Sequence, residues 1–121
     1  MTQSTNYPPV LTSNLTATIA NAASLSGIID LSGTALCGYF IPASWTAADV
    51  TFAVSVDGTN FSDLYDLFGN EVVHTVAANR FVALLPSEMA SIRYLKIRSG
   101  TTGTPVNQDA KRIITLVTRV V

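Results

Sequence analysis

The chain is poor in the residues on which most catalytic and metal sites depend. Its 121 residues include one cysteine and one histidine, and only 12% of them are charged; a typical soluble protein has about 25% charged residues. The single thiol, Cys37, cannot form an internal disulfide, and its apolar neighbours favour a buried structural thiol over a reactive one. A formal net charge of −1 provides no basic footprint, so we expect neither a nucleic-acid partner nor a membrane partner.

Long apolar runs and helical periodicity are also missing. No run approaches the ~20 residues of a membrane span, and the first ten residues, MTQSTNYPPV, lack the basic and apolar regions of a secretory signal. We therefore expect a protein made in a reducing cytoplasm. Residues 1–14 are predicted to form an extended N-terminal arm stiffened by Pro8 and Pro9, and residues 15–121 a single domain.

The chain is rich in short segments typical of β-strands. Apolar residues alternate with small or polar ones from Val50 to Val56 and stop at Asp57-Gly58, a pattern that predicts a β-hairpin. Further strands are predicted near 15–20, 25–31, 35–41, 61–67, 70–76, 79–85, 92–98 and 112–120, and single helical turns at 43–49 and 86–90, the latter capped by Ser87. This spacing predicts an all-β protein, an antiparallel, jelly-roll-like β-sandwich of about eight strands.

The last predicted strand, 112–120, carries apolar residues on both faces. Such a strand is central in its sheet or is covered on its outer side by a partner. At the edge of a sheet, it would instead be open to pairing with another subunit.

No catalytic, metal-binding or cofactor-binding constellation emerges from the residue spacing. His74 has no neighbouring ligands that would complete a zinc site and no recognisable nucleophile, so we interpret it as a structural or surface histidine. The acidic residues around the hairpin (Asp57, Asp63, Asp66 and Glu71) lack the spacing of a calcium-binding EF-hand loop. We therefore predict no enzyme, no metal and no cofactor, and we expect one of the basic residues Arg93, Lys96 and Arg98 to pair with a nearby carboxylate.

Three aromatic residues flank the predicted hairpin. Trp45, Phe61 and Tyr65 are of the type that stacks on sugars, and together they would form a platform for a glycan. The competing interpretation is that Trp45 closes one end of the sandwich as a core residue.

Two families resemble this sequence. Ser55-Val56-Asp57-Gly58 followed by the strand 93–97, RYLKI, is similar to the framework of galactose-binding, discoidin-like β-sandwiches. The segments ASLSGIIDL, IPASWTAA and RYLKIRSGT resemble small virion proteins of tailed bacteriophages and prophages, over about residues 16–119.

The second resemblance implies a capsid decoration (cement) protein on the surface of the virion, bound to the major capsid protein and assembled as a homotrimer. With it we expect the arm, especially Tyr7, Pro8, Pro9 and Val10, to contact the partner. A position on the tail or at the head–tail junction, and a carbohydrate-binding module, are the alternatives.

Overall fold

The computed structural model describes residues 12–120, with residues 12–14 and Pro86 described by their backbone alone. The predicted contact residues of the arm, Tyr7, Pro8, Pro9 and Val10, therefore lie outside the described residues. The first strand begins at Thr12, so residues 12–14 belong to the folded domain and not to the predicted arm.

The described chain folds into eight strands and one short helix. The elements are β1 (Thr12–Ile19), β2 (Ile29–Asp30), β3 (Thr34–Ile41), β4 (Val50–Ser55), β5 (Ser62–Asp63), β6 (Arg80–Ala83), α1 (Pro86–Met89), β7 (Tyr94–Ser99) and β8 (Arg112–Val120). They form two antiparallel four-stranded sheets with the strand orders β1-β8-β3-β6 and β2-β7-β4-β5, so the β-sandwich prediction is confirmed.

The pairing follows the winding of a jelly roll. The outermost strands of the chain pair with each other, β1 with β8, and the pairing continues inward through β2 with β7, β3 with β6, and β4 with β5. Apart from the β4–β5 hairpin, consecutive strands therefore alternate between the two sheets, as in a long antiparallel ribbon rolled into a sandwich. Because β8 lies between β1 and β3, it is a central strand and not an edge strand, which decides between the positions that its two-sided apolar pattern left open.

The hydrophobic core lies between the two sheets. Tyr39 and Phe52 meet edge to face, with ring centroids 6.3 Å apart, and the remaining core is aliphatic. It includes Ile19, Leu31, Leu36, Met89, Leu95, Ile97, Ile114 and Leu116. Trp45 is partly buried and packs against this cluster.

The hairpin at Asp57-Gly58 forms, but its strands are shorter than the pattern predicts. β4 pairs with β5 through only two residue pairs, Ala53 with Asp63 and Val54 with Ser62. Residues 70–76 are not a strand: His74 exchanges backbone hydrogen bonds with Val50, but the contact stays an isolated bridge. The segment pairs first with Leu64 and then with Val50, and this change of partner prevents a continuous ladder.

The helical predictions are confirmed at one of two places. Residues 86–89 form α1, but Leu85 occupies the N-cap and no side chain caps the helix, so the predicted cap at Ser87 is wrong. Residues 43–49 form no helix. Among residues 12–120, no helix is long and apolar enough to cross a membrane.

A buried glutamine organises the loop at residues 43–49, where a helical turn was predicted. Gln108 is fully buried, and its Oε1 accepts a hydrogen bond from the backbone N–H of Thr46 at 2.8 Å. Its Nε2 donates to the Thr46 carbonyl at 3.0 Å and to the Ser99 hydroxyl at 2.6 Å. These bonds take up backbone groups that a helix would have paired internally, so the loop adopts its own path.

Candidate functional site

The outer surface of the β1-β8-β3-β6 sheet carries a pair of phenylalanines. Phe40 on β3 is the register partner of Phe81 on β6, and their rings lie 4.6 Å apart between centroids. Phe40 is 48% exposed, Phe81 46% and Ile113 on β8 47%. We call the outward side of this sheet, centred on Phe40, Phe81 and Ile113, the phenylalanine face.

The Phe81 ring can occupy its position because residue 38 is a glycine. A Cβ atom on Gly38 would come within 2.2 Å of Cζ of Phe81 and within 2.9 Å of the Val82 carbonyl oxygen. The Phe81 ring therefore lies over the bare backbone of Gly38, an arrangement in which an aromatic ring covers a glycine in a sheet. Next to it, Cys37 occupies an irregularity in the β3–β8 register and is half-buried, not fully buried as predicted.

Positive charge borders the phenylalanine face and negative charge is missing from it. Along β8, outward positions alternate with buried ones, so Ile113, Thr115, Val117 and Arg119 share the outer side, and Lys111 continues the series before the strand. None of the four strands of this sheet contains an aspartate or glutamate. The face is therefore apolar at its centre and cationic at its ends.

The opposite sheet presents a polar surface whose charges are satisfied within the chain. Arg98 is mostly buried and contacts Asp63 at 2.7 Å and Glu71 at 3.6 Å. Its Nη1 also donates to the hydroxyls of Thr51 and Thr102. The prediction that one of the three basic residues pairs with a local carboxylate is confirmed, and this network leaves few polar groups free to recognise a partner.

The acidic residues near the hairpin serve local turns and ion pairs. Asp57 accepts hydrogen bonds from the backbone N–H groups of Asn60 and Thr59, which hold the pKa of Asp57 well below its usual range. Asp63 and Glu71 pair with Arg98. Within residues 12–120, no group of three or more His, Cys, Asp or Glu side chains has an arrangement that would hold a metal ion.

A tight turn exposes two apolar side chains beyond β5. The carboxylate of Asp66 accepts hydrogen bonds from the backbone N–H groups of Phe68 at 2.9 Å and Asn70 at 3.0 Å, and Gly69 has a φ of 86°, which only glycine adopts readily. Leu67 is 87% exposed and Phe68 81%. We call residues 66–69 the apolar turn.

An open cavity lies beside the apolar turn. It has a volume of about 550 Å³, and its wall includes Leu64, Val72 and the exposed Leu85, together with the turn itself. Its charged lining residues are Asp66 and Glu88. The turn and its surroundings are thus apolar with an acidic border, opposite in sign to the phenylalanine face.

The single histidine takes part in a partly buried hydrogen-bond chain. His74 Nε2 donates to the Glu88 carboxylate at 2.6 Å, and the Tyr39 hydroxyl donates to Nδ1 at 2.8 Å; the carboxylate acceptor requires the imidazole proton on Nε2. Burial, with the nearby charge of Glu88, raises the pKa of Tyr39 well above its usual value. Tyr39 is fully buried, so this chain of groups connects α1 to the core.

The residues predicted as a glycan platform do not form one continuous surface. Trp45 precedes the first residue of β4, whereas Phe61 follows the loop after its last residue, so the strand separates them. The Phe61 ring is covered by the Lys96 ammonium at 4.5 Å from its centroid, and Tyr65 forms an isolated bridge with Glu71 near the apolar turn. No ring contact joins any two of the three within the described part of the chain.

Neither apolar surface was predicted from the sequence, although each has a signal in it. The β8 segment KRIITLVTR encodes outward Ile113 and Val117 between cations, and Asp66-Leu67-Phe68-Gly69 is a turn with apolar residues at its two central positions. Comparison with protein-family models, with curated proteins and with solved structures found no match. The function is therefore inferred from the surfaces of the chain itself.

Proposed function

We propose that this protein is a structural component of a tailed-phage particle, a capsid decoration protein that binds across neighbouring subunits of the major capsid protein. The observation that carries the proposal is the phenylalanine face. It displays half-exposed aromatic and aliphatic side chains on a sheet with no acidic residue, and exposed apolar patches of this kind mark protein–protein contact sites.

Two further observations support the structural class. The jelly-roll winding is an architecture that viral capsid domains use, and the three segments that resemble phage virion proteins lie in or next to β2, β4 and β7. Both support a protein that acts by contact with a partner.

The mechanism follows from buried area. A stable interface buries ~1,600 Å² in total, and a decoration protein that spans two capsid subunits adds its own contacts to those that must break before the subunits separate. We propose the arm, through Tyr7, Pro8, Pro9 and Val10, as the capsid contact. Proline restricts the free chain, so less conformational entropy is lost when such a segment is ordered on binding.

Co-sedimentation with undecorated phage capsids tests this function. We expect the full chain to pellet with capsids and a chain lacking residues 2–12 to remain folded by circular dichroism but to stay in the supernatant. A deletion variant that decorates capsids as fully as the native chain contradicts the role of the arm. A full chain that never pellets with capsids contradicts the decoration function, and pelleting with isolated tails would assign the protein to the tail instead.

Glycan binding is the competing prediction from the sequence. Because the chain has one tryptophan and that residue is partly buried against the core, its fluorescence gives a direct test. A titration with a glycan panel that shifts the Trp45 emission would favour the carbohydrate-binding alternative, and an unchanged emission would leave the contact function as the better account.

A further inference from the structure

We propose that this chain self-associates head to tail, with the apolar turn of one copy packed on the phenylalanine face of the next. The proposal concerns the isolated chain. It uses the phenylalanine face that also supports the proposed capsid contact, so its test is made without capsids. It is supported by the shape, the rigidity and the opposite charge of the two surfaces.

The apolar turn has the properties of a protruding anchor. Leu67 and Phe68 are almost fully exposed, yet their backbone is fixed by hydrogen bonds to the Asp66 carboxylate and from the Gly69 N–H to the Asp66 carbonyl at 3.1 Å. A rigid protrusion loses little conformational entropy when it binds. Large exposed apolar side chains on a fixed backbone therefore favour a partner surface over free solution.

The phenylalanine face has the properties of the matching receptor. Phe40 and Phe81 are packed against each other, and the Phe81 ring lies over Gly38, so their exposed edges form a preformed platform. Ile113 extends this platform on the neighbouring strand β8. Preformed aromatic platforms are common centres of binding energy in protein interfaces.

Charge decides which surface meets which. The cavity wall beside the apolar turn carries Asp66 and Glu88, whereas Lys111 and Arg119 lie at the borders of the phenylalanine face. Neither of these two cations forms an ion pair with another residue of the described chain. Two turns or two faces brought together would oppose like charges, whereas a turn on a face pairs opposite charges.

One copy cannot make this contact within itself. The turn follows β5, a strand of the β2-β7-β4-β5 sheet, whereas the phenylalanine face is the outer side of the other sheet. The contact is therefore between different patches of two copies, a heterologous interface that closes into a ring or extends as a chain.

Analytical ultracentrifugation of the full chain, without capsids, tests the proposal. We expect the average mass to rise above 12.8 kDa as concentration increases, and to fall when salt screens the charged borders. A turn variant (Leu67→Ser with Phe68→Ser) and a face variant (Phe40→Ser with Ile113→Thr) should each self-associate at least ~10-fold more weakly. Val56→Ser, which removes an exposed apolar side chain outside both surfaces, should behave as the native chain.

Mixing the two variants distinguishes a heterologous contact from a symmetric one. The turn variant keeps an intact face and the face variant keeps an intact turn, so their mixture should form a 1:1 heterodimer that grows no further. A monomeric native chain, or an association that only one of the two variants abolishes, overturns the proposal. So does a mixture of two folded variants that stays monomeric; circular dichroism establishes that both are folded.

Discussion

Replacement of Gln108 by leucine should destabilise the domain far more than its position in a loop suggests. The fully buried side chain uses its complete hydrogen-bonding capacity, since Oε1 accepts from Thr46 and Arg112 and Nε2 donates to Thr46 and Ser99. Leucine has a similar length but leaves the buried Ser99 hydroxyl and both backbone groups of Thr46 without these partners.

The magnitude follows from the groups left unpaired. An unsatisfied buried polar group costs about 1–3 kcal/mol, and Thr46 is only half-buried, so water compensates part of its loss. We expect a decrease of about 3 kcal/mol in the free energy of unfolding, which for a domain of this size lowers Tm by roughly 12 °C.

Thermal unfolding followed by circular dichroism and by Trp45 fluorescence measures the change, because Trp45 adjoins Thr46. Asn107→Leu, at the exposed neighbouring position, is the matched control and should change Tm little. Adding Ser99→Ala to the Gln108→Leu chain removes the unpaired hydroxyl and should recover about 1 kcal/mol. A loss below about 1 kcal/mol for Gln108→Leu, or no recovery in the double variant, would refute the reasoning.

Two further predictions concern Tyr39 and Gly38. Because the pKa of Tyr39 is raised in the folded state, stability from this group is intact below the ordinary tyrosine pKa of about 10 and declines above it, by at most about 1.4 kcal/mol per pH unit. Tyr39→Phe should therefore reduce the fall in the free energy of unfolding above about pH 10, measured by urea titration, while Tyr65→Phe at an exposed position should not. Equal slopes of this free energy against pH in the native and Tyr39→Phe chains would contradict the prediction. Gly38→Ala should displace the Phe81 ring, lower the free energy of unfolding by about 1–3 kcal/mol and weaken the self-association measured by ultracentrifugation. Gly27→Ala, a control with open space around the added Cβ, should leave association unchanged. A Gly38→Ala chain that associates as strongly as the native chain would show that the position of the Phe81 ring does not affect association.

Local sequence pattern predicted a large part of the fold. Alternation from Val50 and the turn residues Asp57-Gly58 specify the β4–β5 hairpin, because side-chain period and turn dihedrals depend on neighbouring residues. The same reasoning overextended the strands: residues 70–76 have the composition of a strand, yet strand length is set by the partner available for pairing, and here the partner changes after Leu64.

The candidate site was less accessible from the sequence. The pattern of β8 places Ile113 and Val117 on one side of a strand, but it does not reveal that Phe40 and Phe81 join them. That neighbourhood arises only when β3 lies between β8 and β6. The exposure of Leu67 and Phe68 likewise depends on how far the turn projects beyond the sandwich, which local pattern does not encode.

By itself the sequence determined an all-β domain, a last strand that is apolar on both faces and a chain with a single histidine, because these depend on composition and on period-two order. The tertiary structure alone decided that His74 joins Tyr39, 35 residues away, to Glu88, and that Gln108 binds Thr46 across 62 residues. It also decided which outer face stays apolar. The physical reason is that a polar side chain pairs with whatever the closed sandwich brings within hydrogen-bond distance, and that distance is fixed by strand order and not by neighbours along the chain.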